Sequence, residues 1–256
     1  MTEAAAPARP RGGAALVTGG AKRIGRAICL ELAAAGFDLA IHHRDSGDEA
    51  AEVARAVEAM GRRAACLSAD LADAEAAGAL IGRAVEAVGP LTVLVNNASL
   101  FADDRLDSLT GESWSSHMDV NLRAPVLLAQ AFAAQAPDGS VIINILDQRV
   151  LKPDPRFFSY GLSKSALWVA TRTMAQALAP RIRVNGVGPG PILPSVHQTA
   201  AEFDAEARAT PLQRPGSPEA VAQAVRWLVD AGQVTGQMIA VDGGQHLAWQ
   251  TPDILE

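Results

Sequence analysis

Short apolar runs alternate along this chain with longer stretches in which apolar positions recur every three or four residues. The runs cover 14–18, 38–42, 64–68, 92–96, 140–145, 183–187 and 237–241. They are apolar and often β-branched, the pattern of strands buried on both faces. The alanine-rich, amphipathic stretches 26–35, 47–60, 74–88, 114–135, 160–179 and 218–228 predict helices. Gly36 and Gly61 stand just past two of them, where a helix ends in the left-handed conformation, and Pro218 opens a third. Strand–helix alternation repeated this often predicts an α/β fold: one doubly wound domain, a parallel sheet with helices on both faces and right-handed crossovers. Residues 1–13 read as a mobile tail and 14–256 as the single domain. The stretch 189–216 holds five prolines and predicts a loop with at most a short helix. It follows a late strand, so it is a candidate substrate lid.

Composition narrows the function. A chain of 256 residues, 49% hydrophobic, buries a core without a disulfide or metal to staple it. A net charge of −6 leaves no basic footprint for nucleic acid or a membrane surface. The opening MTEAAAPARPRGG lacks the apolar centre of a secretory signal, and no apolar stretch is long enough to span a bilayer. Cys29 and Cys66 fall in apolar segments and read as reduced thiols. His42, His43, His117, His197 and His246 make no metal-ligand spacing. The expectation is a cytoplasmic enzyme acting on a small molecule, with no metal, nucleic-acid or membrane partner.

Candidate chemistry gathers at the strand ends. The first strand runs into Thr18-Gly19-Gly20-Ala21-Lys22-Arg23-Ile24-Gly25, and a helix follows. Glycines there let the backbone turn tightly and approach a pyrophosphate at a helix N-terminus. An ordinary glycine turn is the alternative. The second strand ends in His43, Arg44, Asp45 and Ser46. A guanidinium at that tip suits a 2′-phosphate and favours NADPH, whereas Asp45 turned inward to a ribose would favour NADH. Asp70 and Leu71 end the third strand, where the carboxylate meets an adenine amino group or else caps the next helix. Asn96, Asn97, Ala98 and Ser99 end the fourth. Tyr160, the one tyrosine of the chain, precedes Lys164 by four residues, so both share a helix face. An ammonium beside a phenol lowers its pKa and makes it a usable acid or base near neutral pH.

Taken in this order, the glycine turn, Asn-Asn-Ala, Asn121, the Tyr160/Lys164 pair and Pro189-Gly190 resemble the short-chain dehydrogenase/reductase family. Pro211-Leu212-Gln213-Arg214 and Val241-Asp242-Gly243-Gly244 extend the resemblance from about 14 to 244. It implies a Rossmann-type fold with a seven-stranded parallel sheet, an NADPH or NADP cofactor and a homotetramer. It places Gly19, Arg23, Ile24, His43, Arg44, Ser46, Asp70, Leu71, Asn97, Ala98, Ser99, Tyr160, Lys164, Pro189, Gly190 and Ile192 along the cofactor. By the same resemblance Asn121 shapes the active-site helix and a water path to Lys164.

The departures from the common pattern point further. Arg23 stands where the family turn has glycine, Asp147 where its catalytic serine lies thirteen residues before the tyrosine, and Ser99 followed by Leu100 and Phe101 replaces the usual glycine. Together these are similar to the pteridine reductases and dihydromonapterin reductases. The physical logic suits a pterin: Phe101 stacks on a flat ring, Arg23 donates to a ring oxygen or nitrogen, and Asp147 accepts a proton or hydrogen bonds. The implied catalytic set is Asp147, Tyr160, Lys164 and Asn121, with Arg23, Ser99, Phe101, Asp147 and Tyr160 touching substrate. Two other readings compete: a 3-oxoacyl or other carbonyl reductase, against which Asp147 speaks, and a cofactor-binding sensor or scaffold, against which the Tyr160/Lys164 pair speaks.

Overall fold

The computed structural model describes residues 12–194 and 198–249. Nearly all of the tail expected over 1–13 therefore lies outside the described residues, as does His197. The chain runs β1 (Ala14–Val17), α1 (Arg23–Ala34), β2 (Asp38–His43), α2 (Gly47–Ala59), β3 (Ala64–Ser68), α3 (Ala74–Val88) and β4 (Leu91–Asn96). It continues through α4 (Gly111–Met118), α5 (Ala124–Gln135), β5 (Ser140–Ile145), α6 (Phe158–Leu178), β6 (Ile182–Pro189), α7 (Ala200–Arg208), α8 (Pro218–Asp230) and β7 (Met238–Val241). The strands form one parallel sheet in the order β3-β2-β1-β4-β5-β6-β7.

Alternation along each strand divides the core in two. Ala15 and Val17 join Leu32 of α1, Val53 of α2 and Val225 of α8 on one face of the sheet. Leu16 turns the other way, to Leu80 of α3 and Leu128 and Phe132 of α5. Both faces are apolar, which is why the strands read as unbroken hydrophobic runs. From the β3 edge the chain crosses back over β1 to β4, so the strand order reverses between β1 and β4. A crevice opens outside the carboxyl ends of strands at such a reversal.

Three departures from the predicted elements are informative. Helix α1 begins at Arg23, three residues early, because the turn closes at Lys22 and helix follows directly. The expected helix 114–135 starts at Gly111, where Thr110 and Ser113 form a reciprocal cap. A π-helical turn at Asp119–Arg123 then splits it. A wide turn of this kind reorients one or two side chains without ending the helix. Within 189–216 the short helix is α7, capped by Thr199 and Glu202. Gly36 and Gly61 have φ of +97° and +75° and end α1 and α2 as predicted.

One polar chain crosses this core. Asn96 Nδ2 donates to Asn144 Oδ1 at 2.8 Å, and Asn144 Nδ2 donates to Thr171 Oγ1 at 2.8 Å, tying β4 to β5 and β5 to α6. Asn144 and Thr171 are fully buried. Asn144→Ala removes both bonds, strands a buried donor and leaves a small cavity. It should destabilise the protein by about 2–4 kcal/mol. Urea unfolding checks this, and a loss under about 1 kcal/mol would contradict it.

Candidate active site

The turn after β1 is shaped by close backbone approach. Gly19 has φ of +61° and its N–H donates to His42 Nδ1 at 3.1 Å. A Cβ on Gly25 would lie 2.0 Å from the Gly19 carbonyl oxygen, so only glycine lets α1 start this close to the turn. Burial pushes the His42 imidazole down to about 4, against the bond to Ala69 O that favours its charged form. Neutral His42 takes the Gly19 N–H at Nδ1 and bonds Ala69 O through Nε2 at 3.1 Å, linking the turn to the end of β3. Sequence patterning shows only a histidine inside a strand.

The end of β4 closes over the same turn. Asn97 Nδ2 donates to Thr18 O at 2.8 Å and Gly19 O at 3.1 Å, and the Ala98 N–H donates to Thr18 Oγ1 at 3.0 Å. Asn121 sits in the π-helical turn, fully buried. Its Oδ1 accepts from Leu100 N–H at 2.8 Å and Ser99 Oγ at 3.1 Å, while its Nδ2 donates to Leu100 O at 2.9 Å and Ser163 Oγ at 3.1 Å. Asn121 thus fastens the 99–100 segment to α6, one residue from Lys164.

Tyr160 lies in the first turn of α6 and is buried. Its hydroxyl donates to Asp147 Oδ2 at 2.7 Å. Asp147 Oδ1 accepts the Arg149 N–H at 2.8 Å, and the Arg149 guanidinium reaches Oδ2 at 3.3 Å. Lys164 Nζ, also buried, donates to Ile145 O at 2.8 Å and stands 5.8 Å from the Tyr160 ring centre. Burial brings the Lys164 ammonium down to about 8, with Asp147 opposing the shift. The expected lowering of the phenol is not found. Burial, then the adjacent Asp147 carboxylate, hold Tyr160 well above its ordinary value, and Arg149 opposes them only in part. The phenol bonds the Asp147 carboxylate, while the Lys164 ammonium spends its bond on Ile145 O.

Phe101 stacks on Phe157 at 4.3 Å between ring centres and meets Tyr160 edge-on at 4.7 Å. The Arg149 guanidinium covers both phenylalanines at 5.9 and 5.5 Å. Phe157 thus takes one face of Phe101, the residue expected to stack on a flat ligand.

These groups bound two joined spaces. A cavity of about 260 Å³ is lined by Arg23, Ile24, Asn97, Ser99, Lys164 and Gly190, among others. Pro189 and Ile192 line it as well. A larger chamber of about 600 Å³ opens between Phe101, Arg149, Phe157 and Phe203 of α7. Phe101, Asp147 and Tyr160 line both, as do Pro189, Gly190, Ile192 and Leu193.

The remaining predicted residues lie farther along the sheet edge. His43 ends β2 with its Nδ1 buried and without a hydrogen-bond partner. Arg44 is exposed and paired with Asp45 at 2.6 Å. Ser46 is the N-cap residue of α2 without a side-chain cap bond. Asp70 Oδ1 accepts the Ala72 N–H at 2.9 Å; the helix cap is Asp73, so the capping alternative for Asp70 falls. Leu71 is buried. Arg23, with φ of +52°, donates to Pro194 O at 3.0 Å and Leu193 O at 3.1 Å, anchoring the segment after β6. Arg149 and Phe157 were not singled out from sequence. Arg149, two residues past Asp147 with the same strand end, carried the one local signal; nothing near Phe157 marks its stacking on Phe101, 56 positions back along the chain.

The family profile described as "Enoyl-(Acyl carrier protein) reductase" matches residues 19–246. The chain is 34% identical over 244 residues to short-chain dehydrogenase/reductase FrzI of a Cladobotryum species, covering 90% of this chain and 95% of that protein. It is 32% identical over 240 residues to the 3-oxoacyl-[acyl-carrier-protein] reductase FabG of Staphylococcus aureus, covering 91% and 98%. Among solved structures, FolM alternative dihydrofolate reductase 1 from Brucella canis, complexed with NADP, superimposes with a TM-score of 0.91 at 46% identity, covering 96% of this chain and 98% of that one.

The chain has three lysines, Lys22, Lys152 and Lys164. In ¹³Cε-lysine NMR one of them should titrate near pH 8, and that signal should vanish in Lys164→Met. Three signals all titrating above pH 10 would contradict the burial of a charged Lys164.

Proposed function

This chain belongs to the short-chain dehydrogenase/reductase family, and within it we propose an NADPH-dependent reductase whose substrate is a dihydropterin. The observation that carries the reading is the Tyr160 hydroxyl bonded to Asp147 at 2.7 Å beside the Phe101 ring. A serine at this position would donate to a substrate carbonyl. A carboxylate only accepts, so it suits a substrate edge of N–H and amino groups. The phenylalanine wall suits a flat aromatic ring.

The residues present fit the cofactor. The Gly19–Gly25 contact leaves room for no side chain where a pyrophosphate would approach the N-terminus of α1. The partnerless His43 Nδ1 and the Arg44 guanidinium stand at the β2 tip, where a 2′-phosphate would be held. Lys164 and Asn97, in the smaller cavity, would hold the nicotinamide end. When bound, NADPH supplies the hydride that goes to a ring carbon.

The chain's own groups supply the rest. The raised pKa keeps the Tyr160 phenol protonated through the neutral range, the form a proton donor needs. Tyr160 gives its proton to the neighbouring ring nitrogen. Asp147 orients the phenol and accepts from the substrate edge, while Arg149 balances its charge. Phe101 fixes the plane of the ring. Arg23 holds the segment after β6 against the cavity.

The test is loss of NADPH absorbance with a 7,8-dihydropterin, with a 3-oxoacyl thioester in parallel. Oxidation with the dihydropterin is expected. Turnover of the thioester alone would replace this reading with that of a carbonyl reductase, the activity that the FabG relative is named for. Tyr160→Phe should cut kcat by roughly 10²–10⁴-fold with little change in NADPH affinity; equal loss of both would remove Tyr160 from the chemistry. Arg44→Ala should weaken NADPH by roughly ten- to a hundredfold and leave NADH unchanged.

A further inference from the structure

Helix α6 carries Tyr160 and Lys164 but has no cap of its own. Its N-cap residue Phe157 is left-handed at φ of +52° and makes no side-chain cap bond. The cap comes from a loop more than fifty residues away. Asp104 O accepts the Phe158 N–H at 3.0 Å, and Asp104 Oδ1 accepts the Ser159 N–H at 2.9 Å. A carboxylate at this end also complements the helix dipole. The Ser159 hydroxyl donates to Asp104 Oδ2. His117 of α4 completes the cluster: its Nδ1 lies 2.6 Å from Ser159 Oγ and its Nε2 accepts the Ala102 N–H at 3.2 Å. His117 and Ser159 are fully buried and Asp104 nearly so. No substrate reaches them, so this is no nucleophilic triad despite its composition.

We infer that Asp104, Ser159 and His117 are a positioning network that sets the Phe101 ring against the Tyr160 phenol. The network grips the chain on both sides of the site: Ala102 and Asp104 follow Phe101 on its loop, and Ser159 immediately precedes Tyr160. Its hydrogen-bond directions are fixed. Nε2 accepts an N–H, so the imidazole proton is on Nδ1 and points to Ser159 Oγ, whose own proton goes to Asp104. A second imidazole proton would face the Ala102 N–H and break the grip on the loop. Asp104 faces the ring from the loop at 3.9 Å, Tyr160 from α6 with ring centres 6.1 Å apart, and the Ser113 backbone from its own helix. Burial lowers the His117 pKa while Asp104 opposes the shift, so the neutral form is kept at neutral pH and the network is lost as pH falls.

The inference rests on the Tyr160 reading but not on the pterin. Tyr160 is the single tyrosine, so one ¹³Cζ-tyrosine NMR line reports the site without any substrate. Ser159→Ala, a mild change in a helix, should shift or broaden that line. It should also lower kcat by roughly ten- to a hundredfold on whichever substrate the unaltered enzyme reduces, with NADPH affinity within twofold. In the unaltered protein, ¹⁵N-histidine spectra should show His117 as the Nδ1–H tautomer, and the Tyr160 line should move as His117 protonates, on the acid side of the Lys164 titration near pH 8. A Ser159→Ala protein with lower Tm but an unmoved Tyr160 line would reduce the network to a structural role and overturn the inference. So would a His117 carrying its proton on Nε2. Failure to reduce a dihydropterin leaves both readouts intact and counts only against the substrate.

Discussion

The hydrogen bond from the Tyr160 phenol to Asp147 Oδ2, 2.7 Å long and shielded from water, constrains everything around it. A carboxylate so little exposed needs partners for its remaining lone pairs, because a buried charge without them costs several kcal/mol by general estimate. The Arg149 N–H and guanidinium fill that need, and both follow from the short turn after β5. Once there, the guanidinium lies over Phe101 and Phe157. Burial first, and the same carboxylate second, keep the phenol protonated. One residue type at one position thus bears on the phenol, the electrostatics and the aromatic wall together.

The fold makes this possible by bringing distant strand ends to one edge. Each supporting contact joins segments far apart in sequence: Asn97 to the glycine turn, Asn121 to α6, Asp104 to the start of α6. The sheet supplies the rigid frame, since β4, β5 and α6 are pinned to one another by the Asn96–Asn144–Thr171 chain. The π-helical turn places Asn121 where a regular helix would not. The chemistry lies on a frame whose positions are fixed by buried polar bonds, and that is how the phenol and the ring beside it keep their geometry.

Much of this was legible in the order of residues. Buried parallel strands announce themselves as apolar runs, and all seven predicted runs form strands, with ends that coincide or differ by at most two residues. Gly36, Gly61 and Pro218 punctuate helices for local reasons that sequence carries. Tyr160, Asp147, Lys164 and Phe101 were visible as departures from, or matches to, a family pattern, and all four line the smaller cavity. What stayed hidden was tertiary. The phenol's pKa follows first from burial and then from the Asp147 carboxylate that takes its hydrogen bond, while Lys164 bonds Ile145 O, and no spacing rule encodes these placements. The Asp104–Ser159–His117 cluster draws on three segments, and Arg23 anchors the segment after β6.

We propose that the carboxylate at position 147 selects the substrate. Asp147→Ser tests it directly, by comparing kcat/KM for a 7,8-dihydropterin and for a 3-oxoacyl thioester in the parent and the variant. The account predicts that dihydropterin turnover falls by roughly a hundredfold or more while thioester turnover holds or rises, because a hydroxyl donates to a carbonyl where the carboxylate accepted. Dihydropterin turnover that survives the change, or an equal fall with both substrates, would contradict it.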